Sequence, residues 1–127
     1  MFEKELILEI LQQIDAAIDL VSFRFIPIHS ADDFLETPEG LEKLDAICMK
    51  LIAIGESVKN IDKHTNRELL KKYPQMDWKG VKGVRDIISH HYFDLDAEEI
   101  FEICNTHIPL LHKTIKQMIF DLKTEGT

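Results

Sequence analysis

The first 25 residues place apolar side chains at the spacing of an α-helix. Residues three and four positions apart are apolar: Leu6, Ile7, Ile10, Leu11, Ile14, Ala17, Ile18 and Val21. On a helix these positions share one face, and the polar residues between them fall on the other. The pattern predicts a first amphipathic helix that buries this stripe.

The stretch from Arg24 to Gly40 contains two prolines, and we predict a connector there with one helical turn around Phe34. Thr37-Pro38 then supplies the residue types favoured just before a helix and at its first position. An apolar repeat follows at helical spacing: Leu41, Leu44, Cys48, Leu51, Gly55 and Val58. These signals predict a long second helix that ends near Lys63.

The C-terminal half is also predicted to be helical. After a short helix from Arg67 to Lys72, Asp77 can cap a fourth helix that runs from Trp78 to about Tyr92. The last helix is predicted to begin near Asp96 and to kink at Pro109. Its apolar stripe consists of Ile100, Ile103, Cys104, Leu111, Ile115, Met118 and Leu122.

Three glycines interrupt these helices. Glycine inside a helix costs about 1 kcal/mol relative to alanine, so Gly55, Gly80 and Gly83 indicate places where another helix comes close. Strand-like alternation and internal repeats are absent from the sequence. The predicted fold class is therefore all-α: a single domain over residues 1–127, built as an up-and-down bundle of four to five helices.

Composition fits this picture. Apolar residues make up 45% of the 127 residues, which is ordinary for a folded globular domain. At this size roughly two-thirds of the unfolded chain's surface can be buried, so the fold needs no disulfide or structural metal. Cys48 and Cys104 lie within apolar helical patterns without CxxC spacing, and we expect both to be free and buried.

The N-terminal sequence MFEKELILEI has acidic residues where a signal peptide has a basic region. No apolar run in the chain approaches the ~20 residues that span a bilayer. We therefore expect a cytoplasmic protein with no membrane partner.

Charge is distributed unevenly along the chain. The formal net charge is −8, which by itself argues against binding to nucleic acid. From Lys59 to Arg85, however, eight basic residues stand against three acidic ones, a local net charge of +5 on a remainder of −13. Such a segment could hold a short stretch of RNA, with Lys79 and Lys82 as candidate phosphate contacts. A solvated helix face explains the same charges.

The reactive side chains concentrate at the end of the fourth predicted helix, in Arg85-Asp86-Ile-Ile-Ser-His90-His91-Tyr92. Arginine can stabilise charge that develops on a phosphate, and an imidazole can move protons at a 2′-hydroxyl or a leaving oxygen. Arg85 and His90 are therefore candidates for metal-independent RNA cleavage, with Asp86 placed to orient the ring of His90.

Helix geometry complicates this assignment. At 100° per residue, Arg85 and His90 diverge by about 140°, so a shared phosphate requires a frayed helix end or a second protomer. The residues alone leave a structural alternative open, in which Arg85 pairs with a carboxylate and His90 packs between helices.

Other residues near the candidate site also have structural as well as functional interpretations. Glu56 is expected to be a solvated or interhelix acid rather than a catalytic base. Tyr73 and Trp78 could stack on a base, although aromatic residues beside a proline-containing turn are more often buried in the core. The adjacent His90 and His91 point about 100° apart without an HExxH or CxxC motif, so no metal site is predicted.

The run Arg85-x4-His90-x-Tyr92 resembles the R-x4-H-x-Y signature of HepT-like HEPN domains. Other segments match the same family in the same order: Ile54-Gly55-Glu56, Tyr73-Pro74 with Asp77-Trp78, and Ile108-Pro109-Leu110. The resemblance implies a helical HEPN fold that forms a homodimer, in which the two signature segments face one shared cleft.

The same resemblance implies a function. It is that of a metal-independent ribonuclease toxin without a cofactor, with Arg85 and His90 as catalytic residues and Asp86 and Tyr92 in support. The implied antitoxin partner is a minimal nucleotidyltransferase (MNT) that adenylylates Tyr92. The family frequently has asparagine where this chain has Asp86, whose negative charge would lie close to the expected phosphate.

A second function fits the sequence, that of a non-catalytic HEPN module that binds a nucleotidyltransferase or a nucleotide. Asp86 and the net negative charge outside the segment from Lys59 to Arg85 favour the non-catalytic module. The intact Arg85, His90 and Tyr92 favour the enzyme. Exposure of Tyr92 at the helix end would suit its modification. A tyrosine packed under the last helix is the structural alternative.

Overall fold

The computed structural model describes residues 3–90 and 96–125, with residue 90 described in its backbone only. These residues form α-helices joined by short turns, and no β-strand occurs among them. In chain order the elements are α1 (Lys4–Phe25), α2 (Asp32–Leu35), α3 (Pro38–His64), a 3₁₀ turn (Leu70–Lys72), α4 (Trp78–His90), α5 (Ala97–Glu102), a π-helical turn (Ile103–His107) and α6 (Ile108–Thr124). The predicted all-α class is confirmed.

The apolar stripe of α1 lies at the centre of the core. Its fully buried residues are Ile7, Leu11, Ile14, Ile18 and Val21, and α1 packs against α3 and α6. Lys4 Nζ donates to Glu125 O at 2.6 Å, so the start of α1 lies beside the end of α6 and the two helices run antiparallel. Burial of each large aliphatic side chain contributes about 1.5–3 kcal/mol, which makes this stripe the main force that holds α1 in place.

Local capping sets the start of three helices, and the caps at Thr37 and Asp77 were predicted from the sequence. Thr37 Oγ1 accepts the N–H of Gly40 at 2.9 Å, with proline at the first position of α3. Asp77 Oδ1 accepts the N–H of Gly80 at 3.1 Å before α4. Asp96 Oδ1 accepts two N–H groups in the first turn of α5, at 3.0 and 3.2 Å. Each cap satisfies backbone donors that lack a partner within the helix.

The buried stripe of α3 begins one residue earlier than predicted. Leu41 was expected to be buried but is 44% exposed, whereas Gly40 is buried. The short α2 passes so close that a Cβ on Gly40 would lie 2.1 Å from the backbone oxygen of Asp33. Glycine therefore occupies the core-facing position, and the leucine beside it points outward.

The predicted helix from Arg67 to Lys72 is shorter in the structure, where only the 3₁₀ turn Leu70–Lys72 forms. Asn66 and Arg67 have φ values of 52° and 62°. These values lie in the left-handed region, which a right-handed helix cannot continue. The short helix therefore cannot begin at Arg67.

The three interhelix glycines have different surroundings. At Gly55 a Cβ would lie 2.8 Å from Val81 O and 3.1 Å from Val84 Cγ1 of α4, so the predicted close approach is confirmed. At Gly80 the nearest atoms belong to the capping carboxylate of Asp77, and at Gly83 no atom lies within 4 Å. The expectation of a close helix at Gly80 and Gly83 is therefore wrong within the described part of a single chain.

The predicted kink near Pro109 takes the form of the π-helical turn Ile103–His107, directly before α6. Proline has no N–H and its ring clashes with the carbonyl of the residue four before it, here Asn105. The wider π turn contains that carbonyl, and Pro109 itself lies in the first turn of α6, where no N–H is needed.

Cys48 and Cys104 are free and buried, as expected. Burial raises the pKa of each thiol to about 12. Within residues 3–90 and 96–125, no helix is both long and apolar enough to cross a membrane.

Candidate active site on the edge of α3 and α4

α4 is held by its apolar face and exposes the opposite one. Val84 and Ile88, one turn apart, are buried, and Gly55 of α3 allows the two helices to approach closely. The exposed face carries Arg85, Asp86 and Ser89. The same packing that buries the valine and isoleucine thus presents the first half of the signature to solvent.

A carboxylate of α3 holds Arg85 in place. Arg85 Nη1 donates to Glu56 Oε1 at 2.8 Å, and Lys59 Nζ lies 3.0 Å from Glu56 Oε2. Hydrogen bonds from Lys59 and Arg85 hold the pKa of Glu56 below its ordinary value of 4.5, so the carboxylate is charged at neutral pH. The Arg85 side chain stays 56% exposed. Its guanidinium is therefore fixed on one side and open on the other.

The two candidate phosphate-binding lysines, Lys79 and Lys82, differ in their contacts with acidic residues. Lys82 Nζ forms an ion pair with Asp62 Oδ2, a side chain of α3 that is only 14% exposed. Lys79 is exposed and has no acidic partner among the described residues. A phosphate could reach Lys79 directly, whereas Lys82 would first have to leave Asp62.

Ion pairing reduces the free positive charge of the basic segment. Four of its eight basic residues contact acids: Lys59, Lys71, Lys82 and Arg85. In the described part of the chain, the other four have no acidic partner: Lys63, Arg67, Lys72 and Lys79. The local excess of charge is real, but half of the cations that produce it are already engaged.

The positions of Arg85 and His90 do not converge within one chain. α4 is helical through residue 90, so the two positions lie about 140° apart around its axis. A frayed helix end is therefore not observed up to that point. The side chain of His90, and the whole of His91 and Tyr92, lie outside the described residues, as does the predicted end of the helix at Tyr92.

Tyr73 and Trp78 are structural. Tyr73 is buried and its hydroxyl donates to Asp121 Oδ2 at 2.7 Å, while Trp78 Nε1 donates to Tyr73 O at 2.9 Å. Burial and the Asp121 carboxylate raise the pKa of Tyr73. These contacts tie the turn before α4 to α6, and they give both aromatic residues a structural role.

A cavity of about 160 Å³ lies between α3, α4 and the last helix. Its lining is mainly apolar and includes Leu51, Ile54, Val84 and Leu111. Arg85 does not contribute to it, so the candidate site is an exposed helix edge rather than this cavity.

Glu56 is an interhelix acid, as predicted. Its pair with Arg85 is the arginine–carboxylate contact that the sequence left open as a structural alternative, although the sequence did not identify which carboxylate forms it. Glu56 and Arg85 are 29 residues apart, too far for any helical spacing to connect them. The available signal was Gly55, whose close approach to α4 brings the next residue of α3 to the same edge.

Comparisons with known proteins give a consistent result. The model of a family described as "Ribonuclease HepT-like" matches residues 7–118. A Methanocaldococcus jannaschii protein named "Putative RNase" is 35% identical over 94 residues, which cover 74% of this chain and 72% of that protein. A Caldanaerobacter subterraneus subsp. tengcongensis protein with the same description is 33% identical over 90 residues, or 71% and 74% of the two chains. No solved structure matches the chain significantly.

Proposed function

Because the chain belongs to the HepT-like ribonuclease family, we propose that it is the RNA-cleaving toxin of a two-gene module and acts as a symmetric homodimer. Family membership bears out the prediction of an RNA-cleaving enzyme. The observation that carries the proposal for this chain is the exposed guanidinium of Arg85, held on the open face of α4 by the Glu56 carboxylate.

In the proposed reaction, the 2′-oxygen of a ribose attacks the adjacent phosphorus, and the bond from phosphorus to the 5′-oxygen breaks. His90 accepts the proton of the 2′-hydroxyl or delivers one to the leaving oxygen. Arg85 stabilises the negative charge that grows on the phosphate oxygens. This chemistry needs neither a metal ion nor a cofactor.

Glu56 serves as a positioning residue in this proposal. It engages one guanidinium nitrogen of Arg85 and leaves the other N–H groups for a phosphate. Lys59 contacts the second oxygen of Glu56, so the three side chains together carry one positive charge. A phosphate that approaches Arg85 therefore meets a cationic cluster, although Arg85 is already paired.

Positions 85 and 90 lie about 140° apart around the axis of one helix, and a homodimer can bring the two side chains together. A second copy whose α4 packs against the first can place His90 of one chain beside Arg85 of the other. The absence of any atom within 4 Å of a Cβ on Gly83 leaves that part of α4 open to a second helix, as far as the described residues are concerned. Closed two-fold symmetry then creates two equivalent sites in one cleft.

The primary test compares the purified chain with Arg85→Ala and His90→Ala variants on a structured RNA. Loss of either group is expected to reduce cleavage by about 10²-fold or more. Ser89→Ala is the matched control, because Ser89 is an exposed residue of the same helix. Equal cleavage by the wild type and both active-site variants would exclude the proposed catalytic residues.

A mixing experiment tests the shared cleft. Neither Arg85→Ala nor His90→Ala alone is expected to cleave RNA, but a co-expressed mixture forms heterodimers with one intact site. Such a mixture should recover about a quarter of the wild-type activity. No recovery in a mixture shown to contain heterodimers would place both groups of a site on one chain.

The lysines give a separate test of RNA contact. Lys79→Ala should weaken RNA binding and lower the slope of affinity against salt by about one released counterion. Lys82→Ala should instead lower the stability of the fold, because Asp62 loses its cation. If Lys79→Ala leaves binding and its salt dependence unchanged, that lysine does not contact phosphate.

Tyr92 is the proposed point of control by an MNT antitoxin. An adenylyl group there would bring a phosphodiester close to the signature arginine and block it by charge and bulk. Intact-mass analysis after incubation with the cognate nucleotidyltransferase and ATP should show one added adenylyl group per chain. The added mass should be absent from Tyr92→Phe, and its persistence there would refute the assignment.

One observation favours the non-catalytic module as a second candidate. Asp86 is exposed beside Arg85, and its charge opposes an approaching phosphate. If Asp86 suppresses catalysis, Asp86→Asn should raise RNA cleavage several-fold. A chain that binds its nucleotidyltransferase but never cleaves RNA, even as Asp86→Asn, would support the module.

A further inference from the structure

A cluster of metal-ligating side chains joins α1 to α6, two helices that carry no residue of the candidate active site. Asp15 and Asp19 lie one turn apart on α1, and His112 lies opposite them on α6. His112 Nε2 is 2.9 Å from Asp15 Oδ1 and 3.3 Å from Asp19 Oδ1. One ligand atom from each of the three residues fits within a span of 4.8 Å.

We propose that Asp15, Asp19 and His112 bind one Zn²⁺ ion that clamps α1 to α6. Zinc holds nitrogen and oxygen ligands at about 2.1 Å, so the ligand atoms around a four-coordinate ion lie about 3.4 Å apart. The two separations from His112 Nε2 are close to this value. The Asp19 side chain is 63% exposed, so it can rotate to bring all three ligand atoms, which lie within 4.8 Å of one another, to the separation that zinc requires.

The donor set selects the class of ion. One imidazole nitrogen with two carboxylate oxygens suits zinc and similar first-row divalent ions. Magnesium prefers six oxygen ligands in near-ideal octahedral geometry, and calcium prefers six to eight. The two carboxylates also balance the charge of a divalent ion. Three protein ligands leave the fourth position of a tetrahedral zinc ion for water.

Lys116 competes with the ion for one ligand. Its Nζ lies 3.3 Å from the same Asp15 Oδ1 that faces His112, and its side chain is 58% exposed. An exposed lysine can swing into solvent at little cost, because its pairing contributes at most about 1 kcal/mol. Removal of Lys116 should therefore strengthen zinc binding, whereas a simple ion-pair network predicts no such gain.

The test is calorimetric titration of ZnCl₂ into the full-length chain after removal of metals with a chelator. We expect one zinc ion per chain. His112→Gln and Asp19→Asn should each weaken binding by more than about 10-fold, since the loss of even an outer partner of a metal ligand costs that much. Lys116→Met should bind several-fold more tightly than the wild type.

His64→Gln is the matched control, because His64 is exposed near the end of α3 and has no acidic partner among the described residues. It should bind zinc as the wild type does. Asp19→Asn changes an exposed residue, so it keeps the test valid if His112→Gln fails to fold. Unchanged affinity in Asp19→Asn and Lys116→Met, or no zinc binding by the wild type, would overturn the proposal.

Discussion

Replacement of Gly55 by alanine should loosen the contact between α3 and α4 on which the candidate site depends. A Cβ at this position would lie 2.8 Å from Val81 O and 3.1 Å from Val84 Cγ1. The first neighbour is a backbone oxygen in the middle of α4, which cannot move without the helix. The strain therefore has to be relieved by a shift of α4 as a whole, together with Arg85.

The expected magnitude follows from two opposing effects. Overpacking at a closely packed contact costs about 1–3 kcal/mol, and a clash with the backbone of a helix belongs to the upper part of that range, about 2–3 kcal/mol. Alanine regains about 1 kcal/mol of helix propensity over glycine. We expect a net loss of about 1–2 kcal/mol, which for a 127-residue chain lowers the unfolding midpoint by about 4–8 °C.

Thermal unfolding of the wild type and two glycine variants is the assay. Gly83→Ala is the matched control for the fold of one chain, because a Cβ there meets no described atom within 4 Å; at concentrations where the chain is monomeric, it should gain up to about 1 kcal/mol of stability. Sedimentation of the same samples separates a change in assembly from a change in the fold. A Gly55→Ala variant that is as stable as the wild type, with unchanged RNA cleavage, would refute the reasoning.

Three further expectations follow from single side chains. The pKa of Glu56 lies below 4.5 in the folded chain, so its stabilising contribution is present above pH 4.5 and is lost as the pH falls through the lower folded pKa. The urea midpoint should therefore decrease less steeply from about pH 7 to pH 3 in Glu56→Gln than in the wild type, and parallel curves would contradict this. Tyr73→Phe removes a part-buried hydrogen bond to the Asp121 carboxyl group and should cost about 0.5–1.5 kcal/mol in denaturant unfolding, so an unchanged midpoint would show that the bond contributes nothing. Cys48 and Cys104, buried and with a pKa of about 12, should resist alkylation at about pH 8 until the chain unfolds, and rapid labelling of the native protein would contradict their burial.

Local signals predicted the fold well. The caps at Thr37 and Asp77 form as expected, and the last helix begins beside Asp96 as predicted, because these signals depend only on residues within one turn. The failures arose from contacts between distant segments. Leu41 faces outward because α2 crosses its helix at Gly40, which no periodicity within α3 could reveal.

The sequence proposed residues for the candidate site but not the ion pairs around them. The signature singled out Arg85 on a helix, and the structure shows its side chain to be 56% exposed. The sum of charges along the segment could not include the pairs that Lys82 and Arg85 form with α3. The same limit applies to His112, which meets Asp15 across 97 residues of sequence.

The π-helical turn Ile103–His107 also restricts how the length of the last helix can change. A single π turn inside an α-helix accommodates one extra residue, so the last helix has the form of an α-helix that has gained an insertion. Its two halves then serve different neighbours, since α5 contacts α2 whereas α6 packs along α1. Loss of one exposed residue of the turn, such as Asn105, would remove the extra residue but leave Pro109 inside a continuous α-helix, where its ring clashes with the carbonyl four residues before it. The π turn and Pro109 are therefore coupled, because the last helix can lose the extra residue without strain only where the proline is replaced as well.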